Sequence, residues 1–133
     1  MARRQEQYTI EGGRDNGKTF LLTEMPADQA EQFAWRAISA AARGGLNVPA
    51  EMAGSGFAGL AQMGFNMLMS ISFDDLQPLL YEMMRCVVLV PDPNKPSVTR
   101  PIDREDIEEA GTYFKLRAEV FKLHVGFSKA AEN

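Results

Sequence analysis

The sequence predicts an α+β domain, mostly α: an N-terminal β-hairpin packed on about four helices, the last of them long. Three observations carry this. Tyr8-Thr9-Ile10-Glu11 and Phe20-Leu21-Leu22-Thr23 each place their large apolar residues at period two around a glycine-dense loop. Between Pro26 and Gly44-Gly45 apolar residues recur at helical spacing. After Asp103 the chain opens with crowded acids and closes with lysines, the charge order that a helix dipole favours.

The hairpin loop, Gly12-Gly13-Arg14-Asp15-Asn16-Gly17, is built from residues that tolerate turn geometry. A lone hairpin is unstable in water, so the Tyr8/Ile10 and Phe20/Leu22 faces are expected to dock on helices. Pro26 suits the start of the first helix, and Asp28 and Glu31 sit at its positive end. Its inward stripe reads Ala30, Phe33, Ala34, Ala37, Ile38 and Ala41, with Gly44-Gly45 as the stop.

Residues 46–53 read as a loop with Pro49, and 54–70 as a second helix, apolar nearly all round. Its small residues Gly56, Gly59, Ala61 and Gly64 permit close approach of another helix. Each glycine costs about 0.8–1 kcal/mol of helix propensity relative to alanine, so such a helix needs partners. Ser72-Phe73-Asp74-Asp75 resembles a capping box opening a third helix through Leu76, Leu79, Leu80, Met83, Met84 and Val87. Pro78 is expected within its first turn, where no internal N–H partner is lost.

Cys86-Val87-Val88-Leu89-Val90 fits a helix end or a short strand equally. Four prolines from Pro91 to Pro101 predict an extended connector, with Ser97-Val98-Thr99 as a short edge strand. Asp103 is expected to cap the last helix, whose inward stripe reads Ile107, Ala110, Phe114, Arg117-Ala118, Phe121 and Val125. The 133 residues fit one domain, 1–133, with 1–6 and 128–133 frayed.

Composition limits function. The 14 basic and 18 acidic residues give a net charge of −4, against the clustered basic excess of a nucleic-acid binder. One cysteine, Cys86, and one histidine, His124, cannot make a disulfide framework or a Cys/His zinc cage. Cys86 reads as a small buried hydrophobe, and His124 as a packed or capping imidazole. No catalytic, cofactor or metal site is expected, and no enzyme. The N-terminus lacks the apolar core of a signal peptide. The uncharged stretch Met52–Phe73 has a bilayer-like length, but its Gln62, Asn66, serines and glycines favour a buried helix over a membrane span.

One formal motif requires a decision. Gly12-x-x-x-x-Gly17-Lys18-Thr19 satisfies the P-loop pattern. A true P-loop runs from a buried parallel strand into a helix whose N–H groups face phosphate. Here the residues after Lys18 alternate as a strand and Pro26 interrupts any helix begun there, so these glycines are turn residues.

The methionines point elsewhere. Six of the eight lie between Met52 and Met84. Flexible, polarizable Met lines grooves that hold varied apolar helices, although core filling explains it as simply. Phe57, Leu60, Met63, Met67, Met83 and Met84 form the candidate partner or self-association surface.

Two stretches carry a family resemblance. One is Gly17-Lys18-Thr19-Phe20-Leu21-Leu22-Thr23-Glu24-Met25-Pro26-Ala27 running into Ala30-Glu31-Gln32-Phe33-Ala34-Trp35-Arg36-Ala37. The other is Asp106-Ile107-Glu108-Glu109 followed by Leu116-Arg117-Ala118-Glu119-Val120-Phe121-Lys122-Leu123-His124-Val125-Gly126-Phe127. Together they resemble the tail assembly chaperones of long, non-contractile-tailed bacteriophages and their prophage relatives. The resemblance implies a non-enzymatic protein of the host bacterial cytoplasm, absent from the mature virion, that coats the hydrophobic helices of the tape measure protein as a homo-oligomer. It also implies a longer form made by ribosomal frameshifting that engages the tail tube protein, this chain being the short form. The competing reading is another small morphogenesis protein retained in the virion, a head–tail connector or tail terminator.

Overall fold

The computed structural model describes residues 3–47 and 70–132, and from 126 onward the backbone only. The described chain is mixed α and β, with a three-stranded antiparallel sheet and three α-helices among these residues. The helix expected over 54–70 lies outside them. The chain divides into two compact units, Met1–Glu24 with Met83–Leu123, and Met25–Glu82 with His124–Asn133.

In the first unit, β1 (Gln5–Thr9) and β2 (Thr19–Thr23) form the expected hairpin, in register from Gln5 opposite Thr23 to Thr9 opposite Thr19. Gln5 and Glu6 are thus paired with Thr23 and Leu22. The run left open between helix and strand is a strand, β3 (Val87–Val90), antiparallel to β2. Its β-branched residues favour the pleat, and a turn through Arg85–Cys86 separates it from the preceding helix, so Val87 is a strand residue.

One sheet face aligns Glu6, Tyr8 and Ile10 with Phe20, Leu22, Val87 and Leu89. Phe20 and Leu22 are fully buried, Ile10 nearly so, and Tyr8 only half-buried. Helix α3 (Ala110–Glu132) lies near this face: burial, with Glu119 beside it, pushes the Glu6 carboxyl up from its ordinary value.

Three expectations about the segment 91–114 need correction. The prolines do not extend the connector but fold it. Lys95 N–H donates to Asp92 O and Val98 N–H to Lys95 O, two successive turns with Pro93 and Pro96 at the second position that proline pre-sets. They return the chain so that Arg100, rather than a strand at Ser97–Thr99, bridges Leu89. Asp103 caps a short 3₁₀ turn, Arg104–Asp106, with a reciprocal capping box; Ile107 follows in extended conformation and α3 begins only at Ala110.

The expected inward stripe holds only in part: Ile107 and Phe121 are buried as expected, Ala110 and Phe114 are not. Thr112, Leu116, Val120, Phe121 and Leu123 are buried, whereas Ala110 is exposed and Phe114 is 72% exposed. Apolar residues occur on several sides of this helix, so spacing alone did not choose its face. Thr112 on the buried face is held by its hydrogen bond to Asp15. The helix backbone continues through 132.

In the second unit, α1 (Ala27–Arg43) buries Phe33, Ala34, Ala37, Ile38, Ala40 and Ala41, close to the expected stripe. Pro26 is its N-cap residue. At the other end Leu46 N–H donates to Ala41 O and Gly45 N–H to Ala42 O, the double bond of a Schellman stop, with Gly45 at φ +102. Helix α2 (Phe73–Met84) opens as expected, Asp75 N–H donating to the Ser72 side chain and backbone. Pro78, however, is its sixth residue, past the first turn. It leaves a carbonyl on exposed Asp74 to water, which is why the helix tolerates it.

Candidate functional site

The glycine-dense loop ends in a buried carboxylate. Asp15 is completely buried. Lys18 Nζ donates to its Oδ1 at 2.8 Å, and Thr112 Oγ1 to its Oδ2 at 2.5 Å. The backbone N–H groups of Glu108 and Glu109 donate to the same carboxylate at 2.9 and 3.2 Å. Burial raises its pKa, but these hydrogen bonds outweigh burial and hold the group well below the ordinary carboxylate range.

Lys18 is fully occupied by this cluster. Its ammonium also donates to the Asp106 carbonyl at 2.7 Å and stands 3.7 Å from Glu108. The loop joins two antiparallel strands, and Thr19 is buried in β2 with its hydroxyl 2.9 Å from that of Thr9. Residues of the formal P-loop pattern are thus spent on a hairpin and on anchoring residues 106–112. Gly13 approaches Glu109 so closely that a Cβ there would lie 2.0 Å from its Oε1, while Arg14 N–H donates to that oxygen at 2.8 Å.

A second acid–base pair braces the same region. Arg100 grips Asp106 with two hydrogen bonds of 2.7 Å, and Asp103 N–H adds a third at 2.6 Å. The Arg100 hydrogen bonds, aided by the Asp103 N–H, lower Asp106 to about 2. A cleft of about 490 Å³ lies beside these groups, walled by Gly17, Lys18, Val90, Pro91, Pro93 and Arg100. Both cations on its wall are already neutralised by Asp15 and Asp106, so it offers no free charge to an anion.

Among the described residues, the second unit carries three exposed aromatics. Trp35 on α1 is 47% exposed, and Phe73 and Tyr81 on α2 are 63% and 71% exposed. A shallow groove of about 300 Å³ runs between the two helices, lined by Trp35, Ser39, Ala40, Pro78 and Leu79. Ion pairs bridge the two helices: Arg36 to Glu82 at 2.5 Å, where Gln29 also donates, and Arg43 to Asp75 at 2.9 Å.

Comparison with protein-family models, curated proteins and solved structures finds no match to this chain.

Of the candidate surface residues, Phe57, Leu60, Met63 and Met67 lie outside the described residues. Met83 is 1% exposed and fills the interior, whereas Met84 is half-buried. His124 is a packed imidazole whose Nε2 accepts from Met25 N–H at 3.0 Å. Cys86 is buried and its carbonyl accepts from Thr23 N–H at 2.9 Å.

Sequence reasoning missed Asp15 and the exposed aromatics. Asp15 sits among turn formers, where aspartate ordinarily needs no partner beyond its own loop. Phe73 and Tyr81 are separated by two helical turns, a weak cue that the capping box and the leucines overshadowed. No group of three or more His, Cys, Asp or Glu suited to a metal occurs among the described residues, and none of their helices is long and apolar enough to cross a membrane.

Proposed function

We propose that this chain is a non-enzymatic tail assembly chaperone of a long, non-contractile-tailed phage or prophage, binding and solubilising the tape measure protein in the host cytoplasm and leaving before the virion is complete. The observation that carries this reading is the pair of resembling stretches, 17–37 and 106–127, flanking an uncharged Met- and Gly-rich segment. Helix-in-groove recognition needs apolar anchors that remain accessible in the free protein. Trp35, Phe73 and Tyr81 supply such anchors, and half-buried Met84 adds an adaptable one. The finer architecture, a hairpin packed on about four helices with one over 54–70 and a long last helix, belongs to the same proposal.

The test is co-expression with the tape measure protein encoded beside it, followed by affinity capture and light scattering. The expected result is a tape measure protein that stays soluble only in the presence of this chain, co-purifies with it in defined stoichiometry and is joined by no copy of the chain in finished tails. Failure to bind or rescue, together with detection of the chain in purified virions, overturns the reading in favour of a head–tail connector or tail terminator.

A further inference from the structure

The two edges of the sheet are treated differently. The outer edge of β3 is bridged at its outward residue Leu89: Leu89 N–H donates to Arg100 O at 2.9 Å and Arg100 N–H returns to Leu89 O at 3.0 Å. Pro91 follows the strand immediately. β1 is terminal in the strand order, and among the described residues no strand pairs along its outer edge.

Which backbone groups face outward follows from the hydrogen bonds on the inner side. Ile10 N–H donates to Lys18 O, and Arg4 O accepts from Glu24 N–H, both at 2.9 Å. In an antiparallel ladder inward and outward residues alternate, so Arg4, Glu6, Tyr8 and Ile10 are spent on β2. The N–H and C=O of Gln5, Gln7 and Thr9 therefore point out of the sheet. All three residues are exposed and uncharged, and the β1–β2 register runs without a bulge. Natural edges are normally blunted by lysine, proline or a bulge; the outward positions here carry none.

The strand is complementary to itself. An antiparallel copy centred on Gln7 places Gln7 opposite Gln7 and Gln5 opposite Thr9, matching outward residues with outward residues. The same register sets Arg3 opposite Glu11 at both ends and Glu6 opposite Tyr8. Arg3 and Glu11 are both exposed. Shifting the register by one residue sets outward positions against inward ones, whose backbone groups are already used.

We propose that β1 pairs with β1 of a second copy of this chain, joining two sheets into a continuous six-stranded sheet around a two-fold axis at Gln7. Each of Gln5, Gln7 and Thr9 donates once and accepts once across the interface, and two Arg3–Glu11 pairs fix the register. The inference concerns self-association alone and does not depend on the identity of the chaperoned partner.

The test is the oligomeric state of the full chain, measured by sedimentation and light scattering over a concentration series. Gln7→Pro removes one outward N–H, a substitution that an edge strand tolerates because that group is not used within the monomer. It is expected to leave the circular dichroism unchanged and to abolish the dimer. Arg3→Glu and Glu11→Arg are each expected to weaken the dimer about tenfold, since two attractive pairs become repulsive, and the double variant to restore it. A monomeric wild type overturns the proposal. So does an oligomer that ignores the charge reversals, or one that the double reversal fails to rescue. Should Gln7→Pro not fold, the three charge variants decide the question.

Discussion

The Asp15 carboxylate accepts a 2.5 Å hydrogen bond from the Thr112 hydroxyl across a sequence separation of 97 residues. That contact joins the hairpin loop to the first turn of α3 on its buried side. The same carboxylate receives two backbone N–H groups just before the helix, so one buried side chain satisfies the helix approach and braces its first turn. Several consequences of this arrangement can be measured.

Removing Asp15 should be among the most damaging single changes in the first unit. Asp15→Ala leaves two backbone donors and the Thr112 hydroxyl without their acceptor, while Lys18 keeps the Asp106 carbonyl and Glu108. A buried donor left unsatisfied costs about 1–3 kcal/mol. Urea denaturation should show a loss of that order. A change below about 1 kcal/mol is the size of a surface ion pair and means that the loop does not anchor the helix.

Acid should expose the same clusters. Asp15 and Asp106 both have folded-state pKa values below the ordinary 3.8, Asp106 at about 2. The unfolded chain then binds more protons than the folded one as pH falls, so stability rises with pH in this range. Their contribution is complete above about pH 4 and is lost as pH falls from there towards 2 and below. Chemical denaturation at several pH values should follow this slope, and Asp106→Asn should flatten part of it. A stability that is level from pH 5 to pH 2 contradicts both clusters.

The end of α1 offers a comparison of two glycines. Gly45 sits at φ +102 with open space around its Cα, so Gly45→Ala should cost about 1–2 kcal/mol from backbone strain alone. Gly44 has an ordinary φ, but a Cβ there would lie 1.9 Å from the Ser70 carbonyl oxygen, a backbone atom. Gly44→Ala should therefore destabilise more than Gly45→Ala. Thermal melts of the two variants give the order directly, and the reverse order removes the close approach to Ser70.

His124 should be sensitive to loss of its acceptor nitrogen. His124→Phe keeps an aromatic ring in the buried position but leaves the buried Met25 N–H without Nε2. An unsatisfied buried donor costs about 1–3 kcal/mol. A melt unchanged by the substitution would mean that the N–H finds another partner.

Tyr81 inverts this pattern, and Trp35 does so in part. Alanine at Tyr81, 71% exposed, should alter stability by less than about 0.5 kcal/mol, whereas at Trp35, about half covered, it should cost more. Under the chaperone reading, each should weaken capture of the tape measure protein severalfold, as interface aromatics commonly do. Undiminished capture by the double alanine variant moves the docking surface elsewhere.

The sequence by itself determined the hairpin, α1 and the start of α2, because each is specified by neighbours. Alternation around Gly12–Gly17, the Pro26 start, the Gly44-Gly45 stop and Ser72 beside Asp75 all act within a few residues. It also showed that Lys18 leads into a strand rather than a helix. Only tertiary structure decided the rest. Whether 87–90 joined α2 or the sheet depended on β2 offering a partner edge, which no local propensity contains. The prolines of 91–101 restricted φ alike in an extended or a turned chain; Arg100 pairing with Leu89 selected the turns. At the start of α3, Asp15, remote in sequence, supplies the hydrogen bonds that local capping left unmade. Long-range partners are invisible to periodicity because their effect is set by distance in space, and folding alone fixes that distance.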